Sequence, residues 1–403
     1  MLRFPGKVLG LPLSGLGYVS NQGLRYFENG DAVSELKELL LYEQKIHLAV
    51  LPASLGDRTG FGLGVLWGAW PIPRNLVLDL SASNTGYNRE RVILTVGGFD
   101  GQYLNEWRPR DGWFGVGLQA PHNGASNLAQ HIESARLGYT WSGRLADSTW
   151  LASLPLNPNK LMVPLPRRTV AGVFAGPRTV FVTHGRDPER PSFQSVYPSD
   201  SLSSYDKRIE HLVYGARITN DERWGRPHWA HGWRGMFEVQ RFEKSIEALA
   251  IKNAHTDAIP FTRLNYFLEG GWSFGVDPRT LRLSINVIDQ ILDTSKGTFL
   301  ISDMSHLGGS AGLTGFEPGR FNDIDMVLGK ATYVFPLSLN LEGELHFEAG
   351  GVYPSLSQVQ GDVLKGSYGV RLRFRTLFAT IGMVGLDWSS ERMRFSFSVG
   401  PVD

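Results

Sequence analysis

Along its last hundred residues the chain alternates oily and wet positions with a period of two. In Met393-Arg394-Phe395-Ser396-Phe397-Ser398-Val399, the methionine, both phenylalanines and the valine share one face, and Arg394, Ser396 and Ser398 share the other. That is the side-chain period of a β-strand with one apolar and one polar surface. The same scheme recurs upstream. Leu76, Leu78 and Leu80 oppose Asp79, Ser81 and Ser83, and Val370, Leu372 and Phe374 oppose Arg371 and Arg373. Charges on a regular inward face suit a wet lumen and are costly in the dry core of a soluble sandwich. The pattern therefore predicts an all-β fold, a transmembrane antiparallel β-barrel with lipid outside and a polar interior.

Strand-sized segments are predicted near Ile46–Pro52, Gly60–Trp70, Asn75–Asn84, Arg91–Phe99, Gly112–Gln119, Ile132–Trp141, Val170–His184 and Ile209–Thr219. They continue near Trp233–Glu247, Thr262–Phe274, Leu281–Ile291, Asp325–Phe335, Leu339–Ala349, Ser367–Arg375, Leu377–Trp388 and Arg392–Gly400. The total is about 16 strands, each near the roughly 10 residues that a tilted membrane strand requires. Ala146 to Arg168, with Pro155, Pro158, Pro164 and Pro166, reads as a long connection.

Residues 1–45 read as an N-terminal periplasmic segment and residues 46–403 as the barrel. Within the first, Asp31 to Leu41 predicts a short amphipathic helix with Val33, Leu36, Leu39 and Leu40 as its apolar stripe. It is either a packing helix at the barrel rim or an interfacial anchor or plug. The start lacks the charged and apolar regions of a secretory signal. An outer-membrane protein needs one, so the expectation is that Met1 stands after the cleavage point.

Composition narrows the function classes. The mean hydropathy of −0.15 is too polar for a bundle of membrane helices. Glycine is abundant at 47 residues, cysteine is absent, and the net charge of +1 gives no polyanion signal, which excludes nucleic acid as an expected partner. Tryptophans cluster at predicted strand ends (Trp67 and Trp70, Trp107 and Trp113, Trp141 and Trp150, Trp224 and Trp229, Trp388), where an amphipathic ring meets both phases. A sugar-binding groove in a soluble β protein is the competing reading. His211, His228 and His231 carry no accompanying metal motif, Gly60 to Gly64 and Gly115 to Gly117 precede no helix, and no Gly-x-Ser-x-Gly elbow occurs. Asp323 and Asp325 read as solvated or turn-forming loop carboxylates. The chain is expected to be non-enzymatic, with no cofactor and no metal.

Several segments resemble one family. The stretch from Leu307 to Phe321, Leu-Gly-Gly-Ser-Ala-Gly-Leu-Thr-Gly-Phe-Glu-Pro-Gly-Arg-Phe, is similar to the signature loop of the bacterial surface antigen family, the barrel superfamily of BamA-type and TamA-type assembly factors. Tyr333 to Leu337 and Phe347 to Val352 resemble the strands that follow that loop, Thr219 to Arg223 its Asp-rich turn, and Thr59 to Gly64 its glycine-rich early strand. The resemblance implies a loop folded into the lumen, with Leu313, Thr314, Gly315 and Phe316 at its core. Thr314 stands where the family has an arginine that contacts acids of neighbouring strands. Arg320, six residues on, either supplies that charge to Glu348 or is a solvated loop residue.

The family's periplasmic POTRA modules do not fit in 45 residues, so the expectation is a barrel-only member. By the resemblance, its role is insertion or translocation of protein or lipid at the bacterial outer membrane. The route would be a weak seam between the first strand, near Ala49, and the last, near Phe395 and Phe397. A passive pore is the alternative. Implied partners are outer-membrane lipid and lipopolysaccharide and a separate periplasmic protein, with a homodimer as a possible assembly.

Overall fold

The computed structural model describes residues 46–54, 61–69, 74–96, 98–121, 124–143, 168–197, 205–223, 231–244, 259–274, 279–292, 300–338, 340–375 and 380–399. The predicted N-terminal helix and the Ala146–Arg168 connection lie outside them.

The early strands are β1 (Ile46–Ser54), β2 (Phe61–Ala69), β3 (Arg74–Ser83), β4 (Asn88–Val96), β5 (Phe99–Trp113) and β6 (Ser126–Gly143). The middle ones are β7 (Arg168–His184), β8 (Arg208–Asp221), β9 (Gly232–Lys244), β10 (Phe261–Phe274) and β11 (Arg279–Leu292). A small pair follows, β12 (Ser305–Leu307) with β13 (Phe321–Asp323). The chain finishes with β14 (Asp325–Ser338), β15 (Leu341–Tyr353), β16 (Lys365–Arg375), β17 (Thr380–Ser389) and β18 (Met393–Val399). Leaving out the small pair, sixteen strands form one antiparallel sheet in chain order, each bonded to its sequence neighbour. One short helix, α1 (Phe193–Val196), lies in the β7–β8 loop.

Period-two burial explains why the sheet curls into a barrel. In β15, Leu345 and Phe347 are 46% and 53% exposed while Glu344, His346 and Glu348 are 6%, 4% and 1% exposed. Tyr368 and Val370 of β16 point outward and Arg371 and Arg373 inward, and Leu281, Leu283 and Ile285 of β11 are exposed beside buried Thr280. Greasy residues thus face out and charged residues in, the inverse of a soluble protein and the arrangement that a lipid solvent stabilises. Each interior strand of the sheet is paired on both sides, which is how a lipid-facing sheet satisfies its backbone.

The predicted strand at Gly112–Gln119 is misplaced. The fifth strand is β5, fifteen residues long, and the chain turns immediately after it. Gly115 and Gly117 adopt φ of +104° and +85°, which end the ladder, and a register shift between Arg108 and Asp111 carries Pro109, which has no N–H to donate. Tryptophans also divide. Trp141 stands outward at the end of β6, with Tyr139 and Phe99 packed edge-on in series at 4.8 and 4.7 Å. Trp113 is instead interior, packed with Leu128, Val180, Val182, Phe193, Tyr205 and Ile301 beneath the loops.

Candidate functional site

Between β11 and β14 the chain enters the barrel. Residues 308–316 form a compact turn in which Gly308 N–H donates to the Gly312 carbonyl at 2.7 Å and Gly309 N–H to that of Phe316 at 3.1 Å. Such tightness requires positive φ at Gly308, Gly309 and Gly312, and Leu313 also adopts φ +58°. A Cβ at Gly315 would collide with the carbonyl of Trp388, so only glycine lets the loop lie directly on β17. The strained Leu313 is held because its side chain, with Leu307, Phe316 and Phe321, is wholly buried against Leu118, Met326, Val352 and Tyr353.

Neither alternative for Arg320 is found: it is buried, and it pairs with Glu391 and not with Glu348. Thr314 itself reaches Glu348. Its N–H donates to Oε2 at 2.7 Å, and its hydroxyl lies 3.1 Å from that oxygen, 3.1 Å from Asp387 Oδ1 and 3.2 Å from His346 Nε2. Lys330 at 3.2 Å and the Ser367 hydroxyl at 3.0 Å complete the surroundings of Glu348. A short hydroxyl and a backbone amide therefore stand where the resemblance implied an arginine. Close by, Arg371 bridges Glu344 at 3.2 Å and Asp387 at 3.1 Å, Arg373 meets Glu344 at 3.1 Å, and His346 meets Asp387 at 2.8 Å. Thr314, His346 and Asp387 are not a nucleophile relay, because the hydroxyl and the carboxylate meet the same imidazole nitrogen.

Arg320 sits farther along the loop and is buried. Its guanidinium meets Glu391 in the β17–β18 turn at 2.8 Å and lies over the rings of Phe321 and Phe114 at 4.8 and 5.2 Å. Glu317 is ion-paired with both Arg190 of the β7–β8 loop and Arg392 of the β17–β18 turn. From β18, Arg394 Nη1 donates to the Thr314 carbonyl at 2.8 Å and to the Phe316 carbonyl at 2.9 Å, and the Ser389 hydroxyl donates to the Gly315 carbonyl at 2.9 Å. On the opposite side Gly117 N–H donates to the Asn322 carbonyl at 2.7 Å. Asp323 and Asp325 are buried rather than solvated: the first accepts from Ile324 N–H, the second from Gln290 and Leu356 N–H, all at 2.8 Å. Sequence reasoning missed Arg190, Glu317, Glu391, Arg392 and Arg394. Only Arg394 carried a signal, as the charge on the wet face of the last strand.

The seam lies beside this brace. β18 has seven residues and β1 nine, and the two lie side by side with no backbone ladder joining them among the described residues. Phe395 and Phe397 point outward from β18, and Ala49 is paired with Leu66 of β2. His211 is buried edge-on to Phe242 and Phe261.

A sixteen-stranded antiparallel sheet curled around a braced internal loop defines the class by its architecture, a β-barrel. Among solved structures the chain is similar to BamA from Haemophilus ducreyi lacking POTRA domains 1–3, at 12% identity and a TM-score of 0.52, over 91% of this chain and 77% of that one. CdiB from Acinetobacter baumannii matches at 12% identity and a TM-score of 0.49, over 89% of this chain and 60% of that one. No protein-family model matches the sequence, and no curated protein matches it. At 12% identity the likeness to the Haemophilus ducreyi barrel speaks to the fold alone.

Proposed function

We propose that this barrel resides in the bacterial outer membrane and acts there in the insertion or translocation of a protein or lipid through the seam between β1 and β18. The observation that carries the reading is the contrast between that seam and the rest of the sheet. Every consecutive pair of strands in the sheet is laddered, and among the described residues the one junction needed for closure is not. Within a bilayer an unbonded backbone group costs several kcal/mol, so an unladdered seam favours any strand or polar group that can satisfy it. The internal loop supports this over the passive pore, since it occupies the lumen and is fastened to β15, β17 and β18.

The test is to lock the seam. Cysteines introduced as a ladder of pairs between Leu48–Val50 and Phe395–Phe397 should form disulfides in at least one register, and the native absence of cysteine leaves no competing thiol. In proteoliposomes given an unfolded small outer-membrane barrel as client, the crosslinked protein should lose insertion activity and regain it on reduction. A crosslinked barrel as active as the reduced one would overturn the seam as the route.

A further inference from the structure

The internal loop fills only part of the lumen. Between it and the inner faces of β4–β7 and β10 lies a cavity of about 440 Å³, within the range of small-molecule sites. Four guanidiniums line it, those of Arg89, Arg108, Arg178 and Arg263. Two carboxylates, Glu106 and Asp111, share the lining, and the carboxylate of Asp303 stands against Arg178 at 2.7 Å. Four cations against three anions leave a positive excess.

The carboxylates are already engaged. Glu106 accepts from the Tyr87 hydroxyl at 2.6 Å and from Arg108 at 2.9 Å. Arg263 is the least compensated cation. Nε donates to Gln290 Oε1 at 2.9 Å and Nη2 to the Asp303 carbonyl at 2.6 Å, and among the described residues no carboxylate forms an ion pair with it. Phe242 and Phe261 flank its guanidinium at 5.2 and 5.6 Å, which excludes water from that side. Two arginines thus converge on Asp303, which has one carboxylate to offer them. A guanidinium presents five donors in a planar fork suited to bidentate contact with phosphate oxygens.

We propose that this cavity is a binding site for a phosphate-bearing anion of the diphosphate class, held by Arg178, Arg263 and Arg108. It is independent of the seam, and its chemistry fits either free diphosphate or a phosphorylated lipid headgroup.

The experiment is calorimetric titration of the full chain folded in detergent. One arm uses sodium pyrophosphate, and the other a water-soluble short-chain prenyl diphosphate, which carries the same diphosphate as a lipid headgroup. Saturable binding of one ligand per chain is expected in at least one arm, and the tighter arm identifies the source. Arg263→Gln and Arg178→Gln should each weaken it at least tenfold, with folding verified by the shift in gel mobility between unheated and boiled samples. Asp303→Asn removes the competing carboxylate and should tighten binding several-fold. If Asp303 and its arginines are only a structural brace, that variant binds no better than wild type, which keeps the proposal falsifiable should an arginine variant fail to fold. Absence of saturable binding in both arms at millimolar probe, or affinity unchanged in both arginine variants, would overturn the site.

Discussion

Arg394→Ala probes the connection between the loop and the last strand. The guanidinium donates from one nitrogen to two loop carbonyls, those of Thr314 and Phe316, at 2.8 and 2.9 Å. Hydrogen bonds from a charged donor contribute about 1.5 to 3 kcal/mol each in net terms. Water in the lumen can replace part of that when the side chain is removed, although Phe316 is wholly buried. With that replacement the loss is about 2 kcal/mol for the pair of contacts, less than the roughly 3 kcal/mol minimum for two such bonds left unreplaced, and an equilibrium shift of that size raises the undocked loop population roughly 30-fold. Amide exchange reads this directly. Thr314 N–H is held by Glu348 only while the loop is docked, so its exchange, and that of Phe316, should accelerate by the same factor. Amides in the middle of β15 should be unchanged, and Arg394→Lys, which keeps the charge with a single donor head, should fall between. If Thr314 exchanges in Arg394→Ala at the wild-type rate, β18 does not hold the loop.

The corrected ion pairing separates two double-mutant cycles. Arg320→Ala with Glu391→Ala should show coupling of about 0.5 to 3 kcal/mol in urea unfolding, whereas Arg320→Ala with Glu348→Ala should be additive, and the reverse order would place Arg320 on Glu348. Acid should loosen the loop at its first turn. Burial pushes the Asp303 carboxyl up, but the charges of Arg178, His211 and Arg263 outweigh it and hold the group below its ordinary range. Its contribution is then complete above the unfolded pKa of about 3.9 and is lost as pH falls through the lower folded value. Exchange of the β12 amides should rise across that interval in the wild type and show no such step in Asp303→Asn.

Strand positions were legible because the bilayer imposes an alternation that survives on every strand with an outward apolar row, such as Leu345 with Phe347 or Tyr368 with Val370. β5 escaped for a physical reason. Its second half, Trp107 to Trp113, contains Pro109 and three charges, and the register shift there breaks the period that would have revealed it. The loop was found through its resemblance to a family's signature loop, not through periodicity, since Leu307, Leu313, Phe316 and Phe321 follow no regular spacing. What it touches was not legible. Glu391 and Arg394 lie more than seventy residues from Arg320 and Thr314 in sequence, and only the folding of the loop inward against the last hairpin brings them together. Reading Arg320 as the substitute for an arginine at position 314 assumed that a charge was needed there. An amide and a hydroxyl meet Glu348 instead, and Lys330 supplies its counter-charge.

The two edges of the seam are held unequally, and this predicts which one moves. On the β18 side, Arg394 and Ser389 bond the loop backbone, Arg392 pairs with Glu317, and Arg320 pairs with Glu391 in the turn, so the last hairpin is fastened to the lumen as well as to β16. β1 is joined by its ladder to β2, a ladder of nine residues that includes Pro52, which offers no N–H. Opening should therefore displace β1 with β2 while β17 and β18 stay with the loop. Amide exchange in membrane-mimetic discs should show β1 less protected than β17, and Arg394→Ala should narrow the gap by loosening the β18 side alone. Equal protection of β1 and β17 in the wild type, or a β18 that exchanges faster than β1, would mean that the loop brace does not set the direction in which the seam opens.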